Sequence, residues 1–205
     1  MSSKSKTKIV SNTRNLFFAI IIIAIAVTVI VLVTQMQAKP NSTNGEEYAV
    51  INTKYGSMVI RFFPQEAPLH VDNFKKLTRE GFYNGTSFHR VIPEFMIQGG
   101  DPNSKDDDRS NDGMGGPGYA VKAEFNSISH KRGIVSMARG SDPNSAGSQF
   151  FIVVADSPHL DKQYSVFGEV IKGMEVADTI VKQPKDTNDN PNDKIEMSIS
   201  LTKTP

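Results

Sequence analysis

The sequence predicts a mainly β domain, either a barrel or a sandwich, preceded by one N-terminal transmembrane helix. Two observations support this prediction. A long apolar run stands near the start of the chain, and the rest alternates short apolar runs with Gly, Asn, Asp and Pro, leaving room for two helices. Many short strands with few helices favour a barrel or sandwich over a parallel doubly wound sheet. Of the 205 residues, those after the apolar run suffice for one compact domain.

The apolar run covers residues 16–33 and is interrupted only by Thr28. As a helix it would span about 27 Å, close to the thickness of a bilayer core. Basic residues precede it and no acidic residue appears before Glu46, which favours a cytoplasmic N-terminus. We therefore predict four segments: a cytoplasmic N-terminus (1–15), a signal-anchor helix in the lipid bilayer (16–35), a linker (36–46) and an extracytoplasmic domain (47–205).

A cleaved secretory signal is the alternative, and it would leave the domain secreted. Apolar regions of cleaved signals usually run for about 7–15 residues and end at a small-x-small site. The run here is longer, and the bulky Met36 occupies a position of the nearest candidate site where a small residue is required. We therefore predict a retained anchor on the cell membrane.

Composition excludes several classes of protein. The chain has 23 Lys and Arg residues against 22 Asp and Glu, a formal net charge of +1, so it lacks the basic excess typical of nucleic-acid binding. It has no cysteine, which excludes disulfides, thiolate metal sites and thiol catalysis. We expect no nucleic-acid partner.

The domain is predicted to begin with a hairpin and a helix. Residues 48–53 and 57–63 have the pattern of two strands around a short turn. An amphipathic helix is predicted over 67–80, because Pro68 suits its first turn and Gly81 can adopt the left-handed conformation that ends it. The remaining predicted elements, in chain order, are strands within 88–98, 133–138, 149–154 and 166–170, a helix over 174–181 and a strand over 195–201.

Two motifs are the most informative part of the sequence. The first is SFHRVIPEFMIQGGD at 87–101, and the second combines SMAR at 136–139 with NSAGSQFF at 144–151. These stretches resemble the two signatures of the cyclophilin family of peptidyl-prolyl cis/trans isomerases, in the order the family has them. The resemblance extends over 48–201, and it implies a closed eight-stranded antiparallel β-barrel capped by two α-helices.

The residues of the first motif suit prolyl isomerisation. Strand alternation puts Arg90, Ile92 and Glu94 on one face, with the apolar pair Phe95 and Met96 next along the chain. The barrier to rotation about the peptide bond, about 18–20 kcal/mol, is lost resonance, so no bond is broken and no nucleophile, metal or cofactor is required. What is required is an apolar slot for the proline ring and a cation or donor that favours the twisted amide.

The resemblance also implies roles for individual residues. Arg90 is the catalytic residue, and its guanidinium stabilises the pyramidalised proline nitrogen. Besides His159 and Tyr164, the implied substrate-binding residues fall into three groups. They are the proline pocket (Phe95, Met96, Phe151, Leu160), the partners of the substrate backbone (Gln98, Gln149 and the backbone at Arg139), and the borders of the pocket for the residue before the proline (Gly113, Ala138).

Two positions depart from the best-known eukaryotic members. His159 occupies the position of a tryptophan important for cyclosporin binding, and Tyr164 that of a pocket histidine. We expect isomerase activity on proline-containing segments of unfolded exported proteins, with weaker cyclosporin binding. The alternative is a chaperone or assembly module that binds proline-containing segments with incidental or no isomerase activity.

Two further features are predicted to lie outside the site. His89 points away from Arg90 on the same strand and is predicted to be a hydrogen-bonded core residue. The acidic loop 101–112 fails the pattern of an EF-hand calcium loop, because Lys105 falls where an oxygen ligand belongs and Asp106 where glycine belongs. We interpret it as a solvated loop and predict no metal site.

Overall fold

The computed structural model describes residues 46–205, which form one compact unit. The predicted N-terminus, the membrane helix and all of the linker except its last residue lie outside these described residues. No helix within 46–205 is long and apolar enough to cross a membrane.

Eight strands and two α-helices make up the described domain. In chain order they are β1 (Tyr48–Thr53), β2 (Gly56–Phe62), α1 (Pro68–Arg79), β3 (Phe88–Ile92), β4 (Met96–Gly99), β5 (Ile134–Met137), β6 (Phe150–Val153), β7 (Val166–Lys172), α2 (Met174–Val181) and β8 (Met197–Thr202). Short 3-10 helices cover Pro102–Lys105, Arg109–Asn111 and Pro158–Leu160. The mainly β prediction with two helices is confirmed.

The strands form one antiparallel sheet in the order β3-β4-β6-β5-β7-β2-β1-β8. The prediction of a closed barrel is wrong, because β3 and β8 are the two edges of the sheet and do not pair along their length. Their N-terminal ends meet around an isolated bridge between Ser87 and Glu196, where the Phe88 N–H also donates to the Ile195 carbonyl at 3.0 Å. Further along β3, the Val91 N–H donates to the Asp189 carbonyl at 2.8 Å, and the Val91 carbonyl accepts from Lys185 Nζ at 2.8 Å. A polar loop thus occupies the edge of β3 that a closing strand would need.

The predicted run 88–98 divides into β3 and β4, which pair as a hairpin. Pro93 cannot donate a hydrogen bond to a neighbouring strand, and Glu94 has φ of 61°, so the chain turns there. Glu94 therefore does not continue the strand face of Arg90 and Ile92, contrary to the prediction. The turn places Met96 opposite Ile92 and Gln98 opposite Arg90.

Helix α1 begins without a cap of its own. Ala67 at the N-cap has no side-chain hydrogen bond. The backbone N–H groups of Leu69 and His70 instead donate to the Glu124 carboxylate at 3.1 and 3.0 Å. A carboxylate also suits the positive end of the helix dipole. A residue distant in sequence therefore fixes the start of α1.

Two apolar clusters lie on opposite faces of the sheet. The larger one, the inner core, packs α1 and α2 against the strands, and Phe74 of α1 lies with its ring centroid 5.4 Å from that of Phe150 and 5.2 Å from that of Phe167. The smaller one, the outer cluster, is built from buried residues that alternate with those of the inner core along the strands. It consists of Met96, Ile134, Phe151, Val153, Leu160 and Val166.

Candidate active site

The site lies on the outer cluster, where four neighbouring strands align their side chains. The register pairs Arg90 of β3 with Gln98 of β4, Gln98 with Phe151 of β6, and Phe151 with Ser136 of β5. Cross-strand partners share one face of a sheet. The two sequence motifs, about 50 residues apart, are thus brought side by side.

A pocket of about 160 Å³ opens on this face. Phe151, Met96 and Leu160 are buried in its wall, whereas Arg90 is exposed at its edge. It is lined by Arg90, Phe95, Met96, Gln98, Ala138, Arg139, Phe151, Leu160 and Tyr164, all of which the sequence predicted for the site. The pocket therefore combines an apolar slot with a cation, the pair of features that prolyl isomerisation requires.

A directional series of hydrogen bonds leads away from Arg90. Its Nη1 donates to Gln98 Oε1 at 3.4 Å, and Gln98 Nε2 donates to Gln149 Oε1 at 2.9 Å. Gln149 Nε2 in turn donates to the carbonyls of Gly113 and Gly115, each at 2.9 Å. Each glutamine amide is thereby oriented. Among residues 46–205, Arg90 makes one long hydrogen bond although its guanidinium has five N–H donors, so the guanidinium can bind substrate.

A second, wider pocket of about 430 Å³ adjoins the first and shares Gln98, Ala138 and Arg139 with it. Gly113 and Gln149 lie in this second pocket and not in the first. The two pockets form one continuous groove.

Arg139 lies between the pockets with its side chain held in place. Its Nε and Nη2 donate to the Gln163 carbonyl, each at 3.1 Å, and its Nη1 donates to the Gly140 carbonyl at 2.8 Å. The guanidinium carbon lies 4.7 Å from the centroid of the Tyr164 ring. The family resemblance implied a role for the backbone at this position. In the structure the side chain is also fixed by hydrogen bonds, at a residue that lines both pockets.

The two residues that depart from the eukaryotic pattern occupy different places. Tyr164 lines the first pocket, with its ring nearly perpendicular to Phe151 at a centroid distance of 5.6 Å. His159 is exposed and does not line that pocket, but its ring lies 5.4 Å from that of Phe95. His159 therefore contacts the rim of the site.

Sequence reasoning missed the residue that holds the loop of the second pocket. The buried carboxylate of Asp101 accepts hydrogen bonds from the backbone N–H groups of Gly113, Gly115 (3.2 Å) and Asn103 (2.9 Å). The same loop presents its Gly113 and Gly115 carbonyls to Gln149. Asp101 is the last residue of the first motif, which was the available signal.

A buried histidine behind the pocket was also missed. The His130 ring is stacked on Phe151, with centroids 6.0 Å apart and planes inclined by 16°. Its Nδ1 lies 3.0 Å from Asp161 Oδ1 and its Nε2 lies 3.2 Å from Ser136 Oγ. Burial lowers the His130 pKa despite the opposing effect of Asp161. Although these residues are arranged like a hydrolytic triad, Ser136 is fully buried and cannot reach a substrate.

His89 is buried, as predicted, but not hydrogen-bonded as predicted. Neither of its ring nitrogens has a hydrogen-bond partner among the described residues. Burial lowers its pKa, which favours the neutral ring. The ring lies against Gly113, beneath the loop of the second pocket.

Arg109 attaches the acidic loop 101–112 to the loop that contains residues 190–192. This side chain donates to the Asn192 carbonyl at 2.9 Å and also to Asn190 Oδ1 and the Pro191 carbonyl. Within residues 46–205, no group of three or more His, Asp or Glu side chains is placed to share a metal ion.

Comparisons with known proteins agree with this geometry. The family model described as cyclophilin type peptidyl-prolyl cis-trans isomerase/CLD matches residues 48–200. A probable peptidyl-prolyl cis-trans isomerase of Brucella abortus is 44% identical over 147 residues, 69% of this chain and 75% of the relative. A peptidyl-prolyl cis-trans isomerase of Helicobacter pylori is 44% identical over 137 residues, 65% of this chain and 79% of the relative.

Among solved structures, a cyclophilin type peptidyl-prolyl cis-trans isomerase of Cryptosporidium parvum, crystallised in the presence of the dipeptide Ala-Pro, has a TM-score of 0.69 and 35% identity. The match covers 76% of this chain and 98% of that one. The sequence motifs, the eight-stranded sheet and these relatives agree, and the chain therefore belongs to the family of cyclophilin-type peptidyl-prolyl cis-trans isomerases.

Proposed function

We propose that this isomerase acts on unfolded or partly folded exported polypeptides at the outer face of a membrane, with Arg90 as its catalytic residue. One observation carries the assignment of Arg90. It is the position of the Arg90 guanidinium, which makes one long hydrogen bond to the described residues and lies beside an apolar pocket of about 160 Å³, a volume suited to a proline ring. X-Pro isomerisation otherwise takes tens to hundreds of seconds, which makes it a slow step of folding.

The groove can lower the barrier without bond chemistry. Phe151, Met96 and Leu160 hold the proline ring while the preceding carbonyl rotates. As the amide twists, resonance is lost and the proline nitrogen becomes a hydrogen-bond acceptor, to which Arg90 donates. Because the guanidinium is always charged and presents its donors in a rigid fork, the stabilisation is greater for the twisted amide than for either planar form.

Exposed apolar side chains around the second pocket support extended, unfolded substrates. Met114 is 80% exposed and Tyr119 is 43% exposed, and both line this pocket. Phe125 is also exposed and lies 5.8 Å from the guanidinium carbon of Arg139. Such a surface suits the apolar residues that an unfolded chain exposes on either side of a proline.

The proposed location rests on the apolar run 16–33 and the basic residues before it. A retained anchor would hold the domain where translocated chains emerge. Protease treatment of intact cells or spheroplasts tests this location. We expect digestion of the domain with a protected N-terminal fragment, and a fully protected chain would contradict the proposal.

The catalytic role of Arg90 is tested by exchange NMR on an Ala-Pro peptide, using the full chain in detergent. We expect Arg90→Ala to lower kcat/KM by about 10²–10³-fold, the usual loss when one transition-state donor is removed. Arg61→Ala is the control, since Arg61 is another exposed strand arginine and lines neither pocket.

Each outcome of this test has a defined meaning. Full activity of Arg90→Ala would remove Arg90 from catalysis. A folded wild-type chain that binds the peptide without accelerating exchange would instead favour a module that binds proline-containing segments.

We also expect weak cyclosporin binding that His159→Trp strengthens, and unchanged affinity in a direct titration would contradict that expectation.

A further inference from the structure

We propose that Arg139 makes the enzyme prefer substrates with an acidic residue immediately before the proline. This inference rests on the proposed function, because it assumes that the proline ring enters the first pocket. Arg139 lines both pockets, so a residue adjacent to a bound proline passes its guanidinium.

The charge of the groove supports this selectivity. In the described part of the chain, the residues that line the two pockets include Arg90 and Arg139 but no Asp or Glu. Two cations without a lining carboxylate make the groove positive, and clefts with low-dielectric walls strengthen such a potential. A substrate carboxylate placed there would gain attraction, whereas an ammonium group would be repelled.

Arg139 differs from the arginines that form ion pairs elsewhere in the domain. Arg61 pairs with Glu169, Arg79 with Glu47 and Arg132 with Asp178. Within residues 46–205, no carboxylate oxygen lies within 4.0 Å of the Arg139 guanidinium. Its bonds go to the neutral carbonyls of Gln163 and Gly140, which hold the group in place without cancelling its charge.

Nearby carboxylates are already bound to other groups. Asp142, in the same loop as Arg139, accepts from the backbone N–H of Asn144 at 2.8 Å. Asp161 accepts from the backbone N–H of His130 and from the Ser129 hydroxyl, each at 2.8 Å. A substrate carboxylate therefore does not compete with Asp142 or Asp161 for the Arg139 guanidinium.

Arg139 and Arg90 have separable tasks. Arg90 lines only the first pocket, beside Gln98, and is assigned to the twisting amide. Arg139 stands at the junction with the second pocket, next to Ala138, which the family resemblance places beside the residue preceding proline. Its side chain is therefore a specificity-determining group rather than a catalytic one.

The test compares the kcat/KM of the full chain for peptides Ala-Xaa-Pro-Phe with Glu, Gln or Lys before the proline. At low salt we expect the wild type to prefer Glu over Gln by about fivefold and Gln over Lys by a similar factor, as for a charge pair in a partly solvated groove. Arg139→Gln should bring both ratios close to one. Arg139→Lys should retain most of the preference, because it retains the charge.

A control variant separates this effect from a change in overall charge. Lys131→Gln removes an exposed cation that lines neither pocket, and it should leave both ratios unchanged. Thermal melting confirms that each variant is folded. Peptide affinity by NMR titration provides a second readout that does not depend on turnover.

The outcomes distinguish this inference from the proposed function. A wild type that is active on all three peptides with equal kcat/KM would overturn the selectivity alone. The selectivity would also be overturned if Arg139→Gln kept the preference for Glu. A folded wild type that accelerates none of the peptides would contradict the proposed function, and equal affinities for the three peptides would then contradict the selectivity as well.

Discussion

Phe150 and Phe151 are consecutive residues of β6, but they serve different parts of the molecule. Phe150 is fully buried in the inner core, with the rings of Phe74 and Tyr83 nearby at 5.4 and 5.9 Å. Phe151 lies in the outer cluster and faces the first pocket. Because side chains alternate along a strand, one strand supplies stability on one face and a binding surface on the other.

The two clusters differ in how completely they are covered. Both α-helices contribute to the inner core, whereas the outer cluster borders an open pocket and, among residues 46–205, includes no residue of either α-helix. An apolar surface left open at a pocket is a common property of ligand sites. We infer that the outer cluster is less completely covered than the inner core and that a bound proline ring completes its packing.

The largest expected effect is on the inner core. Phe150→Ala should lower the free energy of unfolding by about 3–5 kcal/mol, because it leaves a cavity among tightly packed rings. Urea denaturation of the full chain in detergent measures this loss. A loss below about 1 kcal/mol would show that the inner core collapses around the cavity.

Substitution of the neighbouring Phe151 should lower activity more than it lowers the free energy of unfolding. Phe151→Ala removes the apolar contact with the proline ring, worth about 2 kcal/mol or roughly 30-fold in kcat/KM, mainly through a higher KM. Its loss of unfolding free energy should be smaller than that of Phe150→Ala, because the side chain already borders open space. Equal stability losses with unchanged KM would contradict the comparison.

A smaller effect is expected at the start of α1, which packs on the inner core. Glu124→Ala removes the carboxylate that binds the Leu69 and His70 N–H groups and should cost about 1–2 kcal/mol of unfolding free energy. Glu66→Ala is the control, since Glu66 is an exposed acidic residue near the same helix end. Equal losses in both variants would indicate a general charge effect rather than capping.

The smallest effect concerns acid stability behind the outer cluster. The His130 backbone N–H and the Ser129 hydroxyl lower the Asp161 pKa to about 2. Because the folded pKa lies below the ordinary value of 3.8, the carboxylate stabilises the fold above about pH 4 and loses this effect as the pH falls toward 2. The stability difference between the wild type and Asp161→Asn should therefore shrink over this interval in denaturation curves. A constant difference would contradict the assignment.

The sequence allowed prediction of the strands and of the pocket, but for different reasons. Strand alternation and turn residues are local, and they located the hairpin and α2 to within a residue or two. The prediction that Arg90 and Phe151 share one site came from the family motifs, because periodicity alone cannot show which strands pair. The closed barrel was wrong because Lys185 and Asp189 bind the edge of β3, a contact without a local signal.

Apart from Asp101, which closes the first motif, the missed residues have partners that are distant in sequence or come together only in the folded sheet. Glu124 caps a helix 54 and 55 residues away. His130 acquires its place only when β5 and β6 bring Ser136 and Phe151 together. Such contacts follow from the tertiary arrangement and not from local composition.

The two faces of one sheet are thus expected to separate stability from catalysis. The most direct test of this separation measures unfolding free energy and proline-exchange rate, per folded molecule, for Arg90→Ala and Phe150→Ala side by side. We predict that Arg90→Ala loses activity while its unfolding free energy stays within about 0.5 kcal/mol of the wild type, the usual range for exposed sites. Phe150→Ala should lose stability while its folded fraction keeps near-normal kcat/KM. Loss of both properties in both variants would contradict this separation.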